Sequence, residues 1–295
     1  MGKDIMNRLV SALLVSSTLL LAQSCSTLGQ SGDASVEGDK HHGHHNHNEH
    51  GHHHGSHGHV NKPSVNTKAI LTTPSTINLD KPNNLVIDIQ DSEGNAVPDF
   101  DVFQEKLMHL IVVSDDLDFY DHIHPDYKGN GRFEVEANFP KPGNYTLFSD
   151  YKPTGNPERV SVVKVKAPGT ISSLSDIEIK NVKVFGNTKV ELSFDKPKVQ
   201  ANEEVMISFN LKNAANNNPV TDLQPYLGEA GHLVIVKKSE SITASDYIHA
   251  HALPGKTTEP IRFATQFPEK GTYKVWGQFK RNGEIVTADF WVNAL

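Results

Sequence analysis

From Thr67 to the C-terminus, short segments alternate apolar with polar positions. Side chains two apart on a β-strand point to the same side, so this spacing predicts strands with one buried face. Gly, Pro and Asn separate the segments, as is typical of turns. Apolar positions at a spacing of two occur at Leu85, Ile87 and Ile89, and again at Val205, Ile207 and Phe209. No segment has the spacing of an amphipathic helix longer than a turn or two.

Two long motifs occur twice in the chain. VPDFDVFQEKLMHLIVV from Val97 aligns without a gap with VTDLQPYLGEAGHLVIV from Val220, at an offset of 123 residues. NFPKPGNYTLF from Asn138 matches QFPEKGTYKVW from Gln266 at an offset of 128. The repeated motifs indicate two tandem copies of one β domain. We predict an all-β protein with two immunoglobulin-like β-sandwiches, at 67–166 and 187–295, joined by a linker at 167–186 in which NVKVF could itself be a strand.

The N-terminus has the pattern of an export signal. Lys3 and Arg8 precede an apolar run at 9–22 that is shorter than the roughly 20 residues of a membrane span. The sequence LAQSC at 21–25 resembles the lipobox of bacterial lipoproteins, although Leu21 is displaced by one position, and Cys25 is the only cysteine. We expect residues 1–24 to be cleaved and Cys25 to carry lipid. The protein would then be membrane-anchored, facing the periplasm or the cell surface.

Residues 25–66 are rich in Ser, Gly, Asn and His and contain few large apolar side chains. Such a composition buries too little surface to offset conformational entropy, so we expect this segment to be disordered. A His-rich tract of this kind is typical of a weak metal collector. Eleven of the chain's seventeen histidines lie there: His41, His42, His44, His45, His47, His50, His52, His53, His54, His57 and His59.

The other six histidines fall at equivalent places in the two copies. Each copy has one His in an apolar strand, followed by a His-x-His: His109, His122 and His124, then His232, His249 and His251. The two histidines of His-x-His share one face of a strand and can converge on a metal ion with a third from a neighbouring strand. Asp121, Asp126 and Tyr127 are close enough in sequence to offer an oxygen. The second copy lacks the flanking aspartates and spaces its first two histidines by 17 positions instead of 13.

These motifs resemble a largely uncharacterised group of exported bacterial proteins with (L/M)HL(I/F)VV…HxHP domains. The resemblance rests on MHLIVVSDDLDFYDHIHPDYKGNG, YLGEAGHLVIV and FPEKGTYKVWGQF and covers most of residues 67–295. It implies copper or heavy-metal handling. A looser similarity, in fold class only, links the domains to copper-resistance proteins of the CopC kind.

Histidine ligands, with carboxylate oxygens nearby, suit Cu(II), Zn(II) or Ni(II), whereas Cu(I) sites favour Met and Cys. Met108 and Met206 are the only methionines after the signal segment. We therefore expect copper or zinc ions as the bound metals and, as a possible further partner, a metal-transport protein. The net charge of −7 makes a nucleic-acid partner unexpected.

Three other interpretations remain open from the residues alone. The six histidines can be satisfied polar groups, hydrogen-bonded to carboxylates or carbonyls. The domains can be structural or adhesive modules in which the histidines are incidental. A His-x-His with a more distant His is also the ligand pattern of a zinc hydrolase. The sequence has no HExxH, GxSxG or Walker motif, so we do not expect an enzyme.

Overall fold

A computed structural model describes residues 66–79, 81–170, 176–255 and 259–295, and Val60–Leu295 forms one compact unit. The predicted signal segment, Cys25 and the His-rich tract lie outside the described residues. Within the described part, no helix has the length and hydropathy of a membrane span.

The first repeat is a sandwich of two antiparallel four-stranded sheets. Its sheets have the strand orders β1-β2-β6-β5 and β4-β3-β7-β8. Between them lies an apolar core that includes Leu85, Ile87 and Phe133. The strands are β1 (Thr67–Thr72), β2 (Asn83–Asp91), β3 (Met108–Ser114), β4 (Tyr120–Ile123), β5 (Asp126–Gly129), β6 (Arg132–Ala137), β7 (Gly143–Tyr151) and β8 (Arg159–Ala167).

The second repeat has the same two-sheet plan. One sheet has the order β15-β11-β10-β9; in the other, β14, β13, β16 and β17 are consecutive neighbours, and β12 pairs with β16 beyond the end of β13. The strands are β9 (Val182–Phe185), β10 (Thr188–Phe194), β11 (Glu204–Asn213), β12 (Leu223–Gln224), β13 (His232–Lys237), β14 (Tyr247–His251), β15 (Ile261–Gln266), β16 (Gly271–Arg281) and β17 (Glu284–Ala294), with one 3-10 turn at Ala244–Asp246.

The fold is therefore all-β, with two tandem immunoglobulin-like sandwiches, as the alternation and the repeat predicted. Strand β9 lies inside the range 167–186 that the sequence suggested as a linker. It pairs with β10 of the second repeat, from Thr188↔Phe185 to Glu191↔Val182.

Strand β3 is buried on both faces because each face contacts a different layer. Met108, Leu110 and Val112 point into the core of the first repeat. Ile111 and Val113 point the other way, into a third apolar cluster that both repeats build. Strand β13 has the same division, with Val234 and Val236 in the shared cluster. The sheets that contain β3 and β13 thus pack face to face.

Aromatic contacts across this shared layer occur in equivalent pairs. Tyr120 stacks on Trp276 with ring centroids 4.8 Å apart, and Tyr247 stacks on Phe148 at 4.6 Å. The two tyrosines precede equivalent histidines by two residues, and Phe148 and Trp276 are equivalent in the repeated motif. The second contact is therefore the first with the repeats exchanged, so the two copies pack through the same surface with approximate two-fold symmetry.

Candidate metal centre

All six histidines outside the tract lie at one end of the shared layer, in a single cluster. Neighbouring ring centroids are separated by 4.8 Å between His122 and His232 and by 4.3 Å between His232 and His249. Further ring contacts connect His109 with His122 and His124, His109 with His232 and His249, and His249 with His251. The predicted triads of the two repeats therefore adjoin. We call His109, His122 and His124 the first triad, and His232, His249 and His251 the second triad.

Strand geometry places the histidines at the shared layer. His109 is on the same face of β3 as Ile111 and Val113, and it is fully buried. His122 lies opposite Ile111 on β4, and His124 follows two residues later on the same side. In the second repeat, His232 begins β13 directly opposite His251 of β14.

In the first triad, hydrogen bonds fix the protonation of two rings. His109 Nε2 lies 3.2 Å from the carbonyl oxygen of Phe103, and His122 Nδ1 lies 2.8 Å from Gln278 Oε1. Both partners are acceptors, so each of these nitrogens carries the proton and donates it. The other nitrogens, His109 Nδ1 and His122 Nε2, then have no proton in the neutral rings. They face each other at 3.0 Å.

Two bare imidazole nitrogens at this distance repel each other unless a cation lies between or beside them. The third ring of the first triad adds another unsatisfied nitrogen, because His124 Nε2 is buried without a hydrogen-bond partner among the described residues. One nitrogen from each of the three rings lies within 4.8 Å of the others. Ligand nitrogens about 2.0–2.1 Å from one ion are about 2.9–3.4 Å apart, so the spacing between His109 and His122 suits a shared ion.

Burial keeps four of the six imidazoles neutral. It lowers the pKa of His109 to about 4, against a weaker opposing effect of the Phe103 carbonyl. It likewise lowers the pKa of His124 to about 3, with smaller contributions from His109 and Lys106. The pKa values of His122 and His232 are also lowered by burial. A metal ligand must be the neutral imidazole, so these four rings have the protonation state that ligation requires near neutral pH.

The second triad has different hydrogen bonds. His249 Nδ1 donates to Asp150 Oδ2 at 2.9 Å, so His249 Nε2 is the bare nitrogen, 3.0 Å from His232 Nε2. His232 Nε2 also contacts Gln104 Oε1 and can therefore carry the proton, which satisfies this pair without a cation. His251 is exposed and contacts Gln104 Nε2.

The oxygens expected from neighbouring residues do not join the first triad. Tyr127 donates its hydroxyl hydrogen to the Pro98 carbonyl, and Asp126 pairs with Lys128 at 3.4 Å. Burial raises the pKa of Asp121, which is not part of the convergent group. Met108 points into the core of the first repeat, so its sulfur faces away from His109.

Three residues of the centre were not identified from the sequence: Gln104, Asp150 and Gln278. Asp150 and Gln278 occupy equivalent positions in β7 and β16, and each contacts a histidine of the other repeat. A sequence signal existed, since each is a polar residue close to large apolar and aromatic ones, in LFSDY and VWGQF. The repeat alone could not show that the contacts cross between copies.

The sequence profile of one family, described as a domain of unknown function (DUF8832), matches residues 63–168 and 182–295. No functionally curated protein matches the sequence.

Solved structures match at low identity. The Escherichia coli adhesin FdeC is 14% identical over 79% of this chain and 66% of its own, with a TM-score of 0.26. A two-domain fibronectin type-III segment of chicken tenascin is 10% identical over 78% of this chain and 100% of its own, with a TM-score of 0.23. Invasin, a bacterial integrin-binding protein, is 10% identical over 79% of this chain and 41% of its own, with a TM-score of 0.25. By the profile match, the chain belongs to the family described as the domain of unknown function DUF8832 and carries two copies of it.

Proposed function

We propose that this protein binds a divalent transition-metal ion, Cu(II) or Zn(II), at the first triad, and that it serves in metal sequestration, delivery or resistance outside the cytoplasm. The observation that carries the proposal is the pair of bare nitrogens, His109 Nδ1 and His122 Nε2, which face each other at 3.0 Å while their other nitrogens donate to oxygen acceptors. A metal ion accepts both lone pairs and relieves their repulsion. The buried, unpartnered His124 Nε2 offers the third ligand.

The ligand chemistry favours copper over zinc in vitro. Three imidazole nitrogens form a site of intermediate softness, and Cu(II) binds such sites more tightly than Zn(II) in the usual order of divalent ions. In the cell, the supply of each ion decides which one is bound. A binding role, rather than hydrolysis, is proposed because the nearest buried carboxylate, Asp150, is already engaged by His249 and Tyr247.

The test is a titration of Cu(II) and, separately, Zn(II) into residues 60–295, as wild type and as His109→Ala, His122→Ala and His124→Ala. Each substitution removes one of three ligands, so each should weaken binding at least 10-fold. In the full chain, His57→Ala should bind like the full-chain wild type, because neighbouring tract histidines substitute for the lost one. If wild-type 60–295 binds neither ion at micromolar concentration, or if all three folded variants bind as tightly as wild type, the proposal is wrong.

The N-terminal segment completes the proposal. An N-terminal lipid on Cys25 would anchor the protein at the membrane, and the tract at 41–59 would collect ions weakly. Replacement of Cys25 by Ser should abolish incorporation of a labelled fatty acid and release the protein from the membrane fraction. Label that persists in the variant would contradict the lipid anchor.

A structural or adhesive surface module is the second candidate. It is favoured by the second triad, where His249 and His232 are hydrogen-bonded within the layer between the repeats and so help to hold the copies together. If the protein is such a module, the first triad also serves only as a polar contact between the repeats. The titration separates the candidates, because a purely structural centre binds no ion, and substitution of its histidines changes only the stability of the fold.

A further inference from the structure

The two triads have equivalent positions in sequence, yet only in the first do nitrogens of all three rings converge. In the first triad, one nitrogen from each ring lies within 4.8 Å of the other two, and the second triad does not meet this spacing. His232 and His249 still approach each other at 3.0 Å. The ring that fails to converge is His251, which is stacked beside His249 with a centroid distance of 5.3 Å.

The amide of Gln104 lies between His232 and His251. Its oxygen contacts His232 Nε2, and its nitrogen contacts His251 Nδ1 and lies 3.2 Å from His251 Nε2. The amide thus contacts both rings at nitrogens that would have to face a shared metal ion.

The equivalent residue of the second repeat cannot make this contact. Gln104 and Glu105 form a two-residue hairpin turn closed by Phe103 and Lys106, with positive φ at both central residues. Leu227 and Gly228 form the same turn between Tyr226 and Glu229, again with positive φ at both. Leu227 has no polar atom in its side chain, so it cannot bridge two imidazoles. The ring nitrogens of the first triad converge, and no side-chain amide bridges two of its rings from this turn.

We propose that Gln104 blocks a second transition-metal site formed by His232, His249 and His251, so that the centre holds one ion where its sequence provides ligands for two. Asp150 already orients His249 for this site, because the carboxylate accepts a hydrogen bond from Nδ1–H and leaves Nε2 without a proton. The second carboxylate oxygen, Asp150 Oδ1, is buried without a hydrogen-bond partner among the described residues.

The proposal rests on the proposed function, and its test counts bound ions. We would use the full chain with the eleven tract histidines replaced by serine, so that only the six histidines of the cluster contribute. Cu(II) and Zn(II) are each titrated calorimetrically into this protein, into its Gln104→Leu variant and into its Leu227→Gln variant. Leu should be tolerated at position 104, since Leu227 has φ 54° in the equivalent turn and Gln104 has φ 48°. Gln104→Gly, which also tolerates positive φ, replaces it if the Leu variant does not fold.

We expect one bound ion in the parent protein and two in Gln104→Leu. In Leu227→Gln, we expect the single ion to bind more weakly or to less than full occupancy. Adding His249→Ala to Gln104→Leu should return the count to one. Equal counts of one in the parent and in Gln104→Leu would overturn the role of Gln104 and leave the proposed function intact. A count of two in the parent would also overturn it, because the amide would then not block the site. No binding in the parent would instead contradict the proposed function itself.

Discussion

The hydrogen bond from His122 to Gln278 joins a proposed ligand of one repeat to an acceptor of the other. The acceptor decides which nitrogen of His122 carries the proton, and it also accepts from the Tyr120 hydroxyl at 3.2 Å. Gln278→Leu removes the acceptor, so the ring loses its fixed tautomer and orientation. We expect affinity for Cu(II) to fall by about 10- to 100-fold, the usual effect of losing such a partner. Competition titration against a chelator of known affinity measures the change.

Gln278→Glu is the matched control for this prediction. A carboxylate still accepts a hydrogen bond from His122 Nδ1–H. This arrangement is the same as that of Asp150 and His249 in the other half of the centre. Affinity in this variant should equal or exceed that of the wild type. A Gln278→Leu variant that binds Cu(II) like the wild type would show that His122 is oriented by other contacts.

Burial of the histidines makes the stability of the metal-free protein depend on pH. The pKa of His109 is lowered from 6.5 to about 4 in the folded state, so the unfolded chain takes up the proton first as pH falls. The free energy of unfolding should therefore be constant above about pH 7 and decrease between about pH 6.5 and 4, by up to about 3 kcal/mol for His109 alone. Burial lowers the pKa of His122, His124 and His232 in the same direction.

Urea denaturation of metal-free protein at pH 7.5 and pH 5 measures this dependence. His109→Gln removes one titrating group, so its loss of stability between the two pH values should be smaller than that of the wild type. A loss as large as in the wild type would mean that His109 does not contribute to the acid sensitivity.

At the level of strands and sheets, the sequence predicted the architecture of each repeat but not their packing. Alternation placed Leu85 and Ile87 on one buried face of β2, and the structure confirms it. The runs MHLIVV and HLVIV are apolar at nearly every position, and both are strands in the structure, β3 and β13. A continuous apolar run indicates a strand covered on both faces. In these two strands, the second covered face is the one that packs in the layer between the repeats.

The same layer explains why the candidate site could be predicted only in part. The repeat placed three histidines at equivalent positions in each copy, and strand geometry brought each set to one face. Which face of one sheet meets which face of the other depends on long-range packing, such as the stacking of Tyr120 on Trp276. Gln104, Asp150 and Gln278 reach across that interface, so their roles follow from the packing rather than from any local motif.

At the scale of the whole molecule, the two repeats both contribute to the proposed metal site even though each has its own core. The core of the first repeat is built from that repeat alone, so an isolated fragment 60–170 should fold. It lacks Gln278, which orients His122, and it exposes the face that carries Ile111 and Val113. Without the covering sheet, the imidazoles regain water and their pKa values rise toward the ordinary 6.5.

We therefore expect fragment 60–170 to bind Cu(II) at least about 10-fold more weakly than residues 60–295 at pH 7, with a larger deficit at pH 6, where protons compete for the rewetted imidazoles. Far-UV circular dichroism first establishes that the fragment is folded, and the affinities are then compared by competition titration. Adding fragment 176–295 should restore affinity, because its β13 and β16 re-cover the exposed face and return Gln278 to His122. Restoration should fail with the Gln278→Leu form of the added fragment, which covers the face but supplies no acceptor. If the folded first repeat alone binds as tightly as the two-repeat unit, the site belongs to one repeat and the layer between the copies plays no part in it.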